Sequence, residues 1–148
     1  MATKVRYDWT LLRAGRFLLD GGGMFGIIPR TVWSRSVETD ERNRVTLSHN
    51  ALLLRGGGRT ILIEAGTGDK LDAKMSEIFG LDGRTIEHAV QDAGVDPADV
   101  NMAAVSHLHF DHAGGLTRRA RGSETPDWVA GKGEASGDQN ELCFTFPN

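Results

Sequence analysis

The sequence predicts a mixed α/β fold, in a single domain that covers residues 1–148. Several short apolar runs are bounded by glycine-rich stretches, a pattern typical of β-strands joined by turns. Between these runs lies a segment whose apolar residues recur at i, i+3, i+4 and i+7, which predicts a helix with one buried face. The residues that form this apolar stripe are Ile86, Ala89, Val90 and Ala93.

Three segments in the N-terminal half of the chain are predicted to form strands. Residues 5–19 have the composition of strands, and Ala14-Gly15 predicts a turn that divides them. Residues 45–54 and 60–64 predict a hairpin across Gly56-Gly57-Gly58. His49 stands alone in the first strand of this hairpin, and we interpret it as a structural side chain.

An apolar segment follows Gly21-Gly22-Gly23 and has two interpretations. Its side chains either pack in the core or form the apolar wall of a pocket. The segment contains Met24, Phe25, Ile27, Ile28 and Trp33.

The middle of the chain predicts helices and one short strand. Residues 70–79 are weakly helical, and residues 85–93 predict a clearer helix with Thr85 as its N-cap and Gly94 as its end. His88 stands three residues after that cap, where Glu or Gln would complete a capping box, so we interpret it as a surface residue. Residues 96–99 predict a helical turn, residues 100–105 a short buried strand, and residues 141–146 a last strand.

A cluster of side chains suited to metal binding follows the strand at residues 100–105. It consists of His107, His109, Asp111 and His112, three of the five histidines and one carboxylate within six residues. Imidazole nitrogens and carboxylate oxygens are preferred ligands of zinc. On extended backbone the first three would share one face, and His112 would point elsewhere.

Two metal arrangements remain open for this cluster. In the first, His107 and His109 hold one ion while Asp111 and His112 hold a second. In the other, the cluster holds a single ion. In either arrangement Gly114-Gly115 lets the backbone pass close to the site, and the loop Gly66-Thr67-Gly68 could approach it.

The pattern His-x-His-x-Asp-His after a short strand resembles the signature of the metallo-β-lactamase-fold hydrolases. Residues 20–29 and Trp33 are similar to the N-terminal segment of the lactonase-like and methyl-parathion-hydrolase-like branch. Residues 50–54 and 61–68 look like the next two strands of that branch. In many relatives an Asp stands where this chain has Glu64.

The resemblance implies an αββα sandwich, of which this chain supplies the N-terminal half. It also implies further ligands C-terminal to the motif: a histidine, a bridging aspartate and a last histidine. No histidine follows His112 in this sequence. We therefore expect those positions to fall beyond Asn148 and the chain to be part of a longer protein, the alternative being a reduced protein whose site another chain completes.

The resemblance implies metal-dependent hydrolysis by activated water, with two zinc ions in the complete site. Asp111 is implied as a metal ligand that could also orient the water or carry a proton, and His109 favours a zinc hydrolase over the flavodiiron branch, where Glu tends to occupy its place. We expect a lactone or related ester as substrate, with thioesters as the nearest alternative. The alternative from another functional class is a catalytically silent metal-binding module. The implied substrate pocket contains Met24, Phe25, Ile27 and Trp33.

Composition restricts the choice of partner. The chain is 39% hydrophobic and 25% charged, with a net charge of −3, which gives no support for a nucleic-acid partner. The only basic run, Arg118-Arg119-Ala120-Arg121, is interpreted as a solvated surface. Cys143 is the only cysteine, which excludes an internal disulfide, and we expect it to be buried. The sequence shows no signal peptide or membrane span, so we expect a cytoplasmic enzyme of small molecules, with a homo-oligomer left open.

Overall fold

A computed structural model describes residues 4–119, 128–130, 135–136 and 142–144. The described strands are β1 (Asp8–Asp20), β2 (Arg44–Gly56), β3 (Arg59–Ile63), β4 (Met102–Val105), β5 (Thr117–Arg119), β6 (Trp128–Ala130), β7 (Ala135–Ser136) and β8 (Leu142–Phe144). The described helices are α1 (Gly21–Phe25), α2 (Arg30–Trp33), α3 (Ala73–Ile78), α4 (Ile86–Asp92) and α5 (Phe110–Ala113), with 3-10 turns at Pro97–Asp99 and Gly114–Leu116. The predictions for the side chains of Cys143, Arg119 and Arg121 lie outside the described part of the chain.

The strands form a mixed sheet in the order β1-β2-β3-β4-β8-β7, and β5 pairs with β6 separately. β1, β2 and β3 are antiparallel neighbours, which confirms the predicted hairpin, whereas β3 and β4 run parallel. A parallel pair needs a crossover connection, and residues 64–101 supply it with α3, α4 and a 3-10 turn. The mixed α/β fold class is therefore confirmed.

The predicted turn at Ala14-Gly15 is wrong, because β1 is one continuous strand with a bulge. The pairing of β1 with β2 shifts register between Arg13 and Arg16. Gly15 lies inside the bulge with a φ of 121°, a conformation that side chains other than glycine disfavour. The bulge faces the loop before α4, where Asp82 Oδ2 accepts the N–H of Arg16 at 3.2 Å.

One face of the sheet forms the core. Leu53, Leu62 and Ala103 are directly opposite one another on β2, β3 and β4, and all three are buried. The apolar stripe of α4 packs on this face and contributes Ile86, Ala89 and Val90 to the same buried cluster. The helix therefore covers the sheet as its periodicity predicts.

The opposite face of the sheet is apolar but only partly covered. Its side chains form two rows that cross β1, β2, β3 and β4. Within a row, each residue is paired with the residue opposite it on the neighbouring strand. Trp9 is 69% exposed and Leu11 is 46% exposed, at the β1 end of these rows. The first row contains Trp9, Leu54, Ile61 and Met102, and the second contains Leu11, Leu52, Ile63 and Ala104.

The start of α4 is closed by a capping box that contains a histidine. Thr85 is the N-cap, as predicted, and the Nδ1 atom of His88 accepts the backbone N–H of Thr85 at 3.1 Å. His88 is exposed, which agrees with its interpretation as a surface residue. None of the helices in the described ranges is long and apolar enough to span a membrane.

The apolar segment after β1 divides between core and surface. Trp33 is buried against Gly21, where a Cβ would come within 2.4 Å of the indole ring, and it stacks on Phe25 at 4.7 Å between ring centroids. Met24 is 44% exposed and Ile27 is fully exposed. Trp33 therefore packs in the core, whereas Met24 and Ile27 lie on the surface.

Candidate functional site

The histidine cluster lies at the edge of the sheet where the parallel strands β3 and β4 both end. Glu64 directly follows β3 and Ser106 directly follows β4. The N–H of Glu64 donates to the carbonyl oxygen of Ala104 at 2.9 Å, which holds the two strand ends together. The cluster then begins on irregular backbone, with His109 at the N-cap of α5.

The structure brings the four predicted residues together in overlapping pairs. The His107 ring lies 4.5 Å from the His109 ring and 4.0 Å from the His112 ring, measured between centroids. The Nε2 atom of His112 lies 3.4 Å from Oδ2 of Asp111.

The expectation that His112 points away from the other histidines is wrong. The chain is extended only through β4 and turns into α5 after His109, where the N–H of His112 donates to the carbonyl oxygen of His109 at 3.0 Å. This helical turn brings the side chain of His112 back beside His107. A helix of four residues is too short to leave a periodic signal in the sequence.

Two of the three rings have one nitrogen engaged by a neighbouring oxygen. Oγ of Ser106 lies 3.0 Å from Nδ1 of His107, and Oε2 of Glu64 lies 3.0 Å from Nδ1 of His112. Nε2 is therefore the remaining nitrogen on both rings. Histidines that bind metals commonly use their second nitrogen in this way, since the outer hydrogen bond fixes the ring's tautomer and orientation.

The donor set suits a divalent metal, although the side chains do not converge on one point. Among the described residues, no three His, Cys, Asp or Glu side chains stand together closely enough to hold an ion. Nε2 of His112 and Oδ2 of Asp111 lie 3.4 Å apart. Two ligand atoms on one tetrahedral zinc are about 3.3 Å apart, so this pair fits a shared cation.

Glu64 is partly buried beside His112 and carries a second hydrogen bond. Its Oε1 atom accepts the backbone N–H of Ser106 at 2.9 Å. Burial raises the pKa of the Glu64 carboxyl, but the hydrogen bonds from Ser106 and His112 lower it, and the net direction is downward. The carboxylate therefore stays ionised at neutral pH.

An aromatic cluster anchors the motif from beneath. Phe110 stacks on Phe79 with 4.5 Å between ring centroids and meets the edge of Phe17 at 6.2 Å. Phe17 in turn stacks on the buried ring of His49 at 4.3 Å. Sequence reasoning did not identify Phe110, whose signal was a lone aromatic residue inside a polar motif.

His49 is a structural residue, as predicted, although it lies near the cluster. Its Nε2 atom lies 2.9 Å from Oγ1 of Thr67, and both residues are buried. Burial lowers the pKa of His49, and the negative charges of Asp111 and Asp82 oppose this shift. The His49 ring therefore packs in the interior and contacts Thr67.

The loop after β3 packs directly against the glycines that follow the motif, as expected. The N–H of Gly115 donates to the carbonyl oxygen of Gly66 at 2.8 Å. A Cβ at Gly115 would lie 2.0 Å from the carbonyl oxygen of Ala65, and one at Gly114 would lie 2.3 Å from that of Thr67. Only glycine permits this approach, which holds the end of the cluster on the sheet.

A cavity of about 540 Å³ lies between α4 and the segment after the motif, away from the cluster. Its lining includes Leu62, Ile86, Val90, Val100, Leu116 and Arg118. None of the four cluster residues lines it, and neither do Met24, Phe25, Ile27 or Trp33. The cavity is therefore separate from the candidate site.

Comparisons with known proteins agree on one family. The profile of the metallo-beta-lactamase superfamily matches residues 44–144, which include β2, β3 and the histidine cluster. A probable metal-dependent hydrolase from Staphylococcus aureus is 32% identical and superposes with a TM-score of 0.70, over 76% of this chain and 42% of that one.

Two lactonases are also similar to this chain. N-acyl homoserine lactonase AttM of Azorhizobium caulinodans is 40% identical over 55 residues, which cover 30% of this chain and 21% of the relative. The dizinc quorum-quenching lactonase AidC is 21% identical with a TM-score of 0.56, over 76% of this chain and 36% of that one, and supports the fold alone. The chain spans less than half the length of each of these relatives.

Proposed function

Because this chain belongs to the metallo-beta-lactamase superfamily, we propose that it supplies half of the active site of a metal-dependent hydrolase acting on a lactone or related ester. The observation that carries the proposal is the contact of His112, whose Nδ1 faces Glu64 while its Nε2 faces the carboxylate of Asp111. One ring is thus oriented by a carboxylate on one side and paired with a second donor atom on the other.

The residues that would hold the metal are His107, His109, Asp111 and His112, and the complete site would hold two zinc ions. When bound, zinc would supply Lewis-acid polarisation of the substrate oxygen and a lowered pKa for water. Ser106 and Glu64 engage Nδ1 of His107 and His112, which leaves Nε2 of each ring for the metal. The further ligands of a two-zinc site would come from residues other than these four.

Asp111 has a second proposed role as a proton carrier. Its side chain is 20% exposed and lies beside the His112 ring, so its carboxylate can accept a hydrogen bond or a proton from water. An aspartate here can therefore orient the attacking water as well as bind zinc.

The substrate's apolar part is proposed to contact the segment after β1. Met24 and Ile27 expose apolar side chains, and Phe25 is partly exposed on top of the buried ring of Trp33. In this arrangement Met24, Phe25 and Ile27 contact substrate, and Trp33 supports Phe25 from beneath. A lactone with an apolar substituent fits such a wall. The similarity to the N-acyl homoserine lactonase of Azorhizobium caulinodans favours lactones over thioesters as the substrate class.

Zinc titration followed by calorimetry tests the metal site. We expect the 148-residue chain to bind zinc and His109→Ala to bind it at least about tenfold more weakly. His88→Gln is the matched control, because His88 lies on α4 outside the cluster and Gln preserves its capping role. Unchanged zinc binding by His109→Ala would contradict the assignment.

Hydrolysis assays on lactone, thioester and phosphotriester substrates with added zinc test the reaction class. We expect a protein that contains the complete site to cleave lactones fastest and to lose this activity in His109→Ala. Faster cleavage of thioesters would favour the glyoxalase-II-like alternative. At most one weakly bound zinc and no hydrolysis would support a catalytically silent metal-binding module.

A further inference from the structure

Glu64 holds a backbone conformation that is unusual for its residue type. Its φ is 69°, in the left-handed region that residues other than glycine seldom adopt. Hydrogen bonds on both sides hold the backbone in this conformation. The N–H of Glu64 donates to Ala104, and the N–H of Ala65 donates to the carbonyl oxygen of His112, each at 2.9 Å. Backbone strain of this kind persists where the surroundings determine it and is common at functional sites.

The side chain of Glu64 connects the two ends of the histidine cluster. One carboxylate oxygen accepts the N–H of Ser106, directly before the cluster, at 2.9 Å. The other lies 3.0 Å from Nδ1 of His112, the last residue of the cluster. A segment of seven residues is thus closed into a loop by one side chain, in addition to the backbone bond between Ala65 and His112.

The contact with Glu64 determines which nitrogen of His112 carries the proton. An ionised carboxylate can only accept, so Nδ1 of His112 must be the donor. In the neutral ring Nε2 then carries the lone pair, and Nε2 is the nitrogen that faces Asp111. In the opposite tautomer, an unprotonated Nδ1 would face the Glu64 carboxylate, so that two acceptors meet. Nε2 would then carry a proton at the position where a metal has to bind.

We propose that Glu64 is a positioning residue, which orients His112 and fixes its Nδ1–H tautomer so that Nε2 is presented to the metal. This inference rests on the proposed function for the identity of the bound ion, but the tautomer itself does not. The side chain's length also contributes, since both hydrogen bonds are near their ideal distances and the backbone is held on both sides. A shorter aspartate cannot reach both Ser106 and His112 without moving that backbone.

Glu64→Gln is the most informative variant, because it keeps the shape of the side chain and removes one acceptor. The amide oxygen can satisfy the N–H of Ser106, which leaves the amide NH₂ facing Nδ1 of His112. That nitrogen must then accept, and the proton moves to Nε2. Glu77→Gln is the matched control, because the Glu77 side chain is 79% exposed and lies away from the cluster.

Nuclear magnetic resonance of ¹⁵N-labelled histidine in the metal-free chain tests the tautomer directly. At a pH where the spectrum itself shows a neutral His112 ring, we expect a protonated Nδ1 and an unprotonated Nε2 in the wild type and in Glu77→Gln. In Glu64→Gln the Nε2–H form should appear. A His112→Gln spectrum assigns the signal. The wild-type tautomer persisting in Glu64→Gln would overturn the inference.

Zinc binding supplies the second readout. We expect Glu64→Gln to bind zinc about 10 to 100 times more weakly than the wild type, Glu64→Asp to bind with intermediate affinity, and Glu77→Gln to bind normally. If the wild type binds zinc and Glu64→Gln binds it with the same affinity, the positioning role of Glu64 is overturned. If the wild type binds no zinc, the proposed function fails, and the tautomer measurement still decides the role of Glu64.

Discussion

The histidines of this chain occupy three kinds of environment, and the surroundings of each ring determine what it can do. His49 is buried between Phe17 and Thr67, where its ring stacks on Phe17 and its Nε2 atom contacts the Thr67 hydroxyl. His88 is exposed and closes the N-terminus of α4. In the cluster, His107 and His109 are exposed and His112 is partly buried, and oxygen atoms of Ser106 and Glu64 orient the rings of His107 and His112.

We predict that His49 makes the folded chain less stable below about pH 6.5. Burial lowers the pKa of His49 from its ordinary 6.5, with Asp111 and Asp82 opposing, so the unfolded chain gains this proton at a higher pH than the folded chain. The stability that neutral His49 contributes is complete above pH 6.5 and is lost as the pH falls through the lower folded-state pKa.

Urea denaturation at a series of pH values, from about 5 to 8, checks this prediction. The free energy of unfolding should change less steeply with pH in His49→Gln than in the wild type, because Gln does not titrate and can still bond to Thr67. Equal slopes in the two proteins would assign the pH dependence to other groups.

At the scale of the elements, β1 illustrates how a contact distant in sequence changes the form of a strand. The bulge at Gly15 accommodates the loop before α4, where the Arg84 guanidinium donates to the carbonyl oxygen of Arg13 at 2.8 Å. A Cβ on Gly15 would lie 2.9 Å from Oδ1 of Asp82 and 3.0 Å from the carbonyl oxygen of Arg84. The bulge therefore connects the edge strand of the sheet to the helix that covers its core face.

We predict that Gly15→Ala lowers the free energy of unfolding by about 1 to 3 kcal/mol, because the new side chain is strained at a φ of 121° and crowds the loop before α4. Gly23→Ala is the matched control. A Cβ there meets no atom within 4 Å, and we expect the stability to be unchanged or to rise by up to about 1 kcal/mol. Urea denaturation measures both, and equal effects of the two substitutions would contradict the prediction.

Local periodicity was sufficient to predict the hairpin and α4. The strands of the hairpin are apolar runs separated by glycines, and α4 has four apolar residues on one face, so each pattern lies within its own element. The bulge at Gly15 depends instead on Asp82 and Arg84, almost seventy residues later. Ala14-Gly15 read as a turn because no local signal distinguishes a turn from a bulge.

The candidate site divides in the same way. The residue types and spacing of the cluster predicted its four members, and those members do lie together. The direction of His112 and the packing of Phe110 depend on α5, a single helical turn without a periodic pattern. The two bonds of Glu64 depend on β3 and β4 ending at the same edge, which becomes apparent only when the strands are paired.

At the scale of the whole molecule, the two faces of the sheet differ in how they are covered. α4 buries Leu53, Leu62 and Ala103 on one face. The other carries the two apolar rows that begin at Trp9 and Leu11, which remain 69% and 46% exposed. A domain is built from layers that cover apolar faces, so such a surface is typical of a face on which a further layer packs. This agrees with a chain that covers 42% of the Staphylococcus aureus structure.

We predict that this face is the principal apolar surface of the described part of the chain in solution. Ile61→Lys places a charge in the middle of the first row, and it should reduce the binding of an apolar fluorescent dye while leaving other surfaces unchanged. Thr46→Lys is the matched control, because Thr46 is exposed on β2 and its even-numbered position places it on the same side of the strand as Leu52 and Leu54. Dye fluorescence that falls equally in both variants would indicate an effect of charge alone. Fluorescence that stays unchanged in Ile61→Lys would assign dye binding to another surface, such as the exposed Met24 and Ile27.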